Sequence, residues 1–399
     1  MKPVERIVWC NALGIVLILL ILGYSTNSLP TTILMVEKQA FEPMQETASW
    51  QILNHSFSHK DAIFGDVCFM NSTHGWVVGQ NKSGLGGGII LNTRDCGDSW
   101  QLQLYEDSHT FRSIDIIGNQ TIWVTGTGGL VYSANGGMTW NESKVIDIQA
   151  GLGAVKFINE THGWTSTMND VYKTVDGGQT WQNITSWTFS DSLRMIHFVS
   201  PTEAWAIGLF GVYHTEDACE TWEESFSRRG WSLSFVSDTE AWAVSDTWLA
   251  HMTDDETWIE QPAPRNAPFP RPIAPYFTDI LFLDSENGWI AGDETEIAYT
   301  PNGGLDWYSQ DFPGDTRVIS IDFINLTHGW AVGWGGYIYR TTHGNSLGTR
   351  LWMGMSDSII IIFISIPIAL FIVFCVMFLV RRRKRRTLVS TKETNIELR

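Results

Sequence analysis

The stretch TVDGGQTW, Thr174 to Trp181, decides the fold because the chain repeats it. TRDCGDSW ends at Trp100, SANGGMTW at Trp140, TEDACETW at Trp222 and TPNGGLDW at Trp307, and a shorter form, MTDDETW, ends at Trp258. Most copies set a turn of Asp, Asn or Gly ahead of a tryptophan. A second signal recurs in front of it: HGW at Trp76, TIW at Trp123, HGW at Trp164, EAW at Trp205, EAW at Trp242, NGW at Trp289 and HGW at Trp330. The spacings are 47, 41, 41, 37, 47 and 41 residues, which makes seven units of about 40. Self-similarity at such a period means a repeat architecture.

One unit shows its strands. Val155 to Ile158 is a short apolar run and Asn159 to Gly163 is turn chemistry. Trp164 to Thr167 and Val171 to Thr174 flank a tight turn at Asn169 and Asp170, and Trp181 to Ile184 follows the repeated stretch. Four short strands joined by Gly/Asn/Asp turns predict an antiparallel meander. No unit carries a helical period over a useful length. So small a sheet cannot bury both faces alone, whereas stacking on its neighbours around an axis does so. The predicted fold is all-β, a seven-bladed β-propeller of four-stranded antiparallel blades spanning residues 47–348. The seventh unit decays after Thr341 into HGNSLG, while TASWQIL, Thr47 to Leu53, matches the fourth strand of other units. Trp50 is therefore expected to close the last blade with an N-terminal strand and remove an open sheet edge.

Within the repeated turn, Asp95, Asn135, Asp176, Asp217 and Asn302 are placed to accept N–H bonds of their own loop. A glycine supplies the positive φ, and the tryptophan packs between blades. These residues read as structural, not catalytic.

Two apolar runs frame the propeller. Ile7 to Tyr24, within residues 1–24, reads as a transmembrane signal anchor or a cleaved signal peptide. Ile359 to Val380 holds 22 residues without a charge and precedes RRRKRR. It predicts a transmembrane helix over 358–380 and a basic cytoplasmic tail over 381–399. The expected fold class thus carries a transmembrane helix at each end, and the expected placement is a membrane-anchored, extracytoplasmic propeller. Eight Asn-x-Ser/Thr sequons, at Asn54, Asn71, Asn81, Asn119, Asn141, Asn159, Asn183 and Asn325, are then candidate glycan acceptors or simply β-turn composition. Between the tails, 16 basic residues stand against 40 acidic ones, which excludes nucleic acid as a natural partner. Cys10 and Cys375 lie in the apolar runs. Cys68, Cys96 and Cys219 make no disulfide framework and no metal spacing, although a single Cys68–Cys96 bridge stays open. No metal and no cofactor is expected.

The pattern Ser/Thr-x-Asp-x-Gly-x-Thr-Trp, met in full by Thr174, Asp176, Gly178, Thr180 and Trp181, is similar to the Asp-box, or bacterial neuraminidase repeat. Cys219 replaces the glycine in the fourth copy, and the fifth and seventh copies are degenerate. HGWxVG followed by YxTxDGGxTW, over roughly Ser49 to Leu347, resembles the photosystem II stability/assembly factor family. The resemblance implies a non-enzymatic seven-bladed propeller that holds membrane-protein assembly intermediates, with an arginine patch for its client. The two apolar end segments and the basic tail depart from the family pattern.

In a propeller, the loops before the first strand and between the second and third share one face, and Asp-box turns lie on the other. Arg112 and Arg194 stand 11 residues ahead of Trp123 and Trp205, and Arg229 and Arg317 stand 13 ahead of Trp242 and Trp330. Such recurrence predicts a positive ring at the channel mouth that grips a carboxylate-bearing peptide or chain terminus by bidentate pairing. The plainer reading is four unrelated arginines, each satisfying a loop carbonyl or a nearby Asp. The proline-rich loop Ala263 to Pro275 is either a contact arm or a stiff spacer. The rival class is an enzyme. Asp115, Asp279 and Asp322, at the start of first strands, could supply the paired carboxylates of a propeller glycosidase, or could cap the channel. A sialidase-like site lacks its Arg-Ile-Pro signature here, and the tail of a sortilin-like receptor would need a sorting signal that Thr387 to Arg399 does not show. The reading carried forward is a non-enzymatic protein-binding scaffold or assembly factor with a protein or peptide client.

Overall fold

The computed structural model describes residues 50–353, apart from 54–61, 83–85, 108, 144–152, 168–169, 185–190, 192, 254–255, 266–275, 294–296 and 315. Seven antiparallel meanders follow one another along the chain, one per sequence unit. Blade 3 consists of Val155–Phe157, Gly163–Ser166, Val171–Thr174 and Gln182–Asn183, paired in chain order. The innermost strands of blades 1 to 7 are Ala62–Phe69, Thr110–Ile117, Val155–Phe157, Met195–Phe198, Ser232–Phe235, Phe277–Phe282 and Val318–Phe323.

Closure occurs where the decayed seventh unit required it. Gln51–Leu53 is the fourth strand of blade 7, with Gln51 opposite Arg340 and Leu53 opposite Ile338. Trp50 is buried, donates its indole N–H to Gln310 Oε1 at 2.8 Å, and meets Phe312 and Phe323 edge-on at 5.8 Å. One element was not expected. Thr349–Arg350 adds a fifth strand to blade 6 beside Tyr308–Ser309, and Trp352–Met353 pairs with Pro264–Arg265. Leu351, between them, is buried against Trp307 and its neighbours. The rest of the Pro-rich loop lies outside the described residues.

The repeated turn is a staple, as its composition predicts. Asp176 Oδ1 accepts the Thr180 N–H at 2.9 Å and Oδ2 accepts the Thr180 hydroxyl at 2.6 Å, while Thr174 Oγ1 caps the Gly178 N–H at 2.8 Å. These bonds hold the Asp176 carboxyl at about 2, below its ordinary value. Asp95 and Asp217 repeat the set, and Asn135 and Asn302 reproduce its backbone part. Gly178 has φ +80°, and a Cβ there would stand 2.2 Å from the ring of Trp123, in the preceding blade. Trp123 is stacked on Phe157 at 5.0 Å and meets Trp181 edge-on at 6.0 Å. The two recurring tryptophans therefore meet across a blade boundary, each burying a large apolar surface. The glycine of HGW also makes room for a ring, because a Cβ on Gly163 would lie 2.5 Å from Phe157.

One expectation is corrected. The expected transmembrane helix at each end, and with it the membrane-anchored, extracytoplasmic placement with a cytoplasmic tail, is not carried by the fold. Among the described residues no helix is long and apolar enough to cross a membrane, and every assigned element is a strand. The runs that suggested the spans, Ile7 to Tyr24 and Ile359 to Val380, lie outside the described residues. The Cys68–Cys96 bridge, which the sequence left open, is not formed, since Cys68, Cys96 and Cys219 are all free thiols.

Candidate functional site

Inner strands point alternate side chains at the axis. Opposite the seven facing tryptophans stand Cys68, Asp115, Lys156, His197, Ser234, Leu281 and Asp322. Two residues earlier in two of the blades are Asp66 and Asp279, and one residue further toward the mouth come Arg112, Arg194 and Trp231. All of these line one cavity of about 780 Å³. In the other direction the next axial position is aliphatic in every blade, from Met70 to Ile324, so the polar lining ends before the Asp-box face.

The carboxylates inside are consumed by architecture. Asp66 accepts the Ile114 N–H of blade 2 and the Ser320 hydroxyl of blade 7, both at 3.0 Å. Asp115 accepts the Phe157 N–H at 2.8 Å and pairs with Lys156 at 2.7 Å, both in blade 3. Asp279 accepts the Ser232 hydroxyl of blade 5 at 2.6 Å and the Ile321 N–H of blade 7 at 2.8 Å. Asp322 accepts the Phe69 N–H of blade 1 at 2.6 Å. Each ties its inner strand to a neighbouring blade. Removal from water dominates the acidity of Asp66, Asp279 and Asp322. It raises Asp66 to about 7 and Asp279 and Asp322 to about 6, against the pull of their hydrogen bonds. Asp115, Asp279 and Asp322 are thus channel caps, the second of the two roles open to them. Among the described residues, no group of three or more His, Cys, Asp or Glu side chains is arranged to hold a metal ion.

The mouth has a different character. The Arg194 guanidinium carbon lies 3.3 Å from the Trp231 ring centre, with those of Arg229 and Arg317 at 5.0 and 5.6 Å. Three of the four expected arginines, from the lead-in segments of blades 4, 5 and 7, therefore gather around one indole. Arg112 is exposed and lines the same cavity from blade 2. The four are not equivalent. Arg229 is ion-paired to Asp246 at 2.7 Å and Arg317 to Asp293 at 3.1 Å. Among the described residues, Arg112 and Arg194 pair with no carboxylate. Burial, then the like charges of Arg229 and Arg112, push Arg194 down to about 10.

Sequence reasoning missed Trp231, Asp246 and Asp66. A register signal existed for the first, since Trp231 is three residues before Ser234, the place that Arg112 and Arg194 hold relative to Asp115 and His197. The sequons divide in a similar way. Asn71, Asn159 and Asn325 recur because each Oδ1 caps its own turn, accepting the N–H of the residue two on at 2.9 Å. Asn119, Asn141 and Asn183 are exposed, Asn81 is half-buried at the end of its strand, and Asn54 lies outside the described residues.

Comparison with known proteins follows this geometry. Residues 42–147 match the family described as Photosynthesis system II assembly factor YCF48. Over 79 residues the chain is 35% identical to the photosystem II assembly lipoprotein Ycf48 of Synechococcus sp. (strain CC9902), a match covering 19% of this chain and only 23% of that relative. Among solved structures, the chain resembles YCF48 bound to D1 peptide (22% identity, TM-score 0.58, 75% of this chain and 99% of that one). It resembles YCF48 from Cyanidioschyzon merolae similarly (18%, TM-score 0.58, 75% and 100%). It also resembles a streptogramin B lyase (12%, TM-score 0.59, 75% and 99%), so fold alone does not choose a function.

Proposed function

We infer, from a Ycf48-like seven-bladed propeller with Asp-box repeats, that this protein is a non-enzymatic scaffold that binds a protein client at the arginine mouth. The client offers a carboxylate, on an acidic side chain or a chain terminus, to Arg112 and Arg194. The observation that carries the reading is a pair of arginines with no carboxylate partner among the described residues, at the mouth of a cavity in an otherwise acidic domain. An unpaired guanidinium in such a place gains most from a planar, bidentate anion. The peptide carried by a similar YCF48 structure supports a peptide-sized ligand, and the relatives' role in assembly supports an assembly intermediate as the client. The cavity carboxylates support a binding role over glycoside hydrolysis, because all four are held in interblade hydrogen bonds or an ion pair.

The test is fluorescence anisotropy with fluorescein-labelled acidic decapeptides carrying either a free C-terminal carboxylate or an amide. Saturable binding that weakens with salt is expected, and the double variant R112A/R194A should lose at least about ten-fold in affinity with an unchanged melting temperature. Wild-type protein that binds none of these peptides, or a double variant that binds as well as wild type, refutes the reading.

A further inference from the structure

The mouth holds more order than a ring of charges needs. A guanidinium carbon 3.3 Å from an indole centre can only lie flat on the ring, at van der Waals thickness. The N–H donors of a guanidinium lie in its own plane, so the stack directs them sideways and leaves none pointing into the indole. The indole is itself anchored. Its N–H donates to Asp246 Oδ1, and the other oxygen of the same carboxylate takes Arg229 Nη2 at 2.7 Å. The Trp248 indole donates to the Arg229 carbonyl at 2.9 Å, and the Trp231 N–H to the Val244 carbonyl at 2.8 Å, so side chain and backbone are both fixed.

We propose that Trp231 is the platform that presents the Arg194 guanidinium to the client, that Asp246 is the brace that holds this platform, and that Arg112 and Arg194 alone grip the anion. Arg229 is a positioning residue, sharing Asp246 with the indole, and Arg317 is committed to Asp293 and takes no part in the grip. This rests on the peptide-binding reading above and adds to it the division of labour among the four arginines and the part of an indole that recurrence in the sequence did not single out. The ligand class narrows accordingly. Arg112 and Arg194 are left to take the client's carboxylate, and no second anion is needed to satisfy Arg229 and Arg317, which Asp246 and Asp293 already pair.

Two measurements separate this proposal from the reading beneath it. In the first, the free-carboxylate decapeptide is titrated into W231L, W231F, D246N, R317A and R194A, with folding checked by melting temperature. W231L should bind about 3- to 30-fold more weakly, and W231F, which keeps an aromatic face but loses the N–H that Asp246 accepts, should weaken binding no more than D246N does. D246N should weaken binding and R317A should not. W231L binding like wild type, or R317A as weak as R194A, overturns the proposal. The second measurement needs no ligand. In ¹⁵N spectra of the free protein, the Arg194 Nε–H signal, assigned by its loss in R194K, should carry the upfield ring-current shift of a stacked guanidinium. The shift should collapse in W231L and shrink in D246N and in W231F, which keeps a ring but has no N–H for Asp246 to hold. A signal indifferent to D246N overturns the brace even where the peptide binds. A protein that binds no peptide yet shows the shift and its collapse keeps the brace and loses the client reading.

Discussion

Replacing Gly178 with alanine tests why the repeated turn needs its second glycine. Gly136, in the second copy, has φ +67° and open space around a would-be Cβ, so G136A carries backbone strain alone. That strain is about 1–2 kcal/mol, offset by about 0.4–1 kcal/mol from a stiffer unfolded chain. G178A carries the same strain at φ +80° and also sets a methyl 2.2 Å from a carbon of Trp123, where contact belongs at about 3.5–4.0 Å. Displacing that ring adds about 1–3 kcal/mol of overpacking. The chain contains its own control. At blade boundaries where this slot is glycine, the tryptophan and phenylalanine rings lie nearly parallel: 12° for Trp330 and Phe69, 15° for Trp123 and Phe157, 6° for Trp242 and Phe282. Where the slot is Cys219, Trp164 is tilted 33° from Phe198, and Trp205, facing the glycine-free fifth copy, is tilted 44° from Phe235. The ring pair is thus tilted where the turn lacks that glycine. Urea unfolding of both variants, followed by tryptophan fluorescence, should show G136A destabilised by about 1 kcal/mol and G178A by about 2–4 kcal/mol. Equal destabilisation by the two would refute the reasoning, because it would mean that the close approach of the ring costs nothing.

Trp50→Ala should destabilise the domain by about 3–5 kcal/mol, and limited proteolysis should then cut first in the seventh blade. Asp176→Asn should be tolerated better than Asp176→Ala in thermal melts, since Asn135 and Asn302 already make the backbone bond that alanine cannot. The pH dependence follows from Asp66, at about 7, and Asp279 and Asp322, at about 6. Their folded values lie above the unfolded ones, so the folded protein holds extra protons between about pH 4 and 7 and stability falls as pH rises through that window, by up to about 1.4 kcal/mol per pH unit per group. His197, lowered to about 4 chiefly by burial, acts in the opposite sense below about pH 6.5. Melting temperature should therefore rise as pH falls from 8 to 6.5, and a flat profile there would count against buried carboxylates in the channel.

Local chemistry made much of this legible beforehand. The period, the Asp-box caps and the missing fourth strand at HGNSLG are all written within a few residues of one another, so seven blades and the Trp50 latch could be read from the chain. What stayed hidden depends on atoms far apart in sequence. Asp279 meets the Ile321 N–H in the next blade, and no single unit reveals that. The four arginines could be placed at one level by counting, but their sorting into paired and unpaired depends on Asp246 and Asp293, which follow second strands of their blades. Thr349–Arg350 escaped because two residues carry no period at all. The expectation of a spanning helix at each end rested on apolar length alone, in runs that lie outside the described residues.

The latch also sets a timetable for the nascent chain. Gln51 cannot meet Arg340 until 289 more residues have been made, which at roughly 5–20 residues per second takes on the order of 15 s to a minute. Through that interval the earliest segment travels without its partner while six blades accumulate behind it. Any chaperone that shields this stretch must let go last, and an amino-terminal deletion would be felt at the opposite extremity of the polypeptide, in the final sheet to emerge.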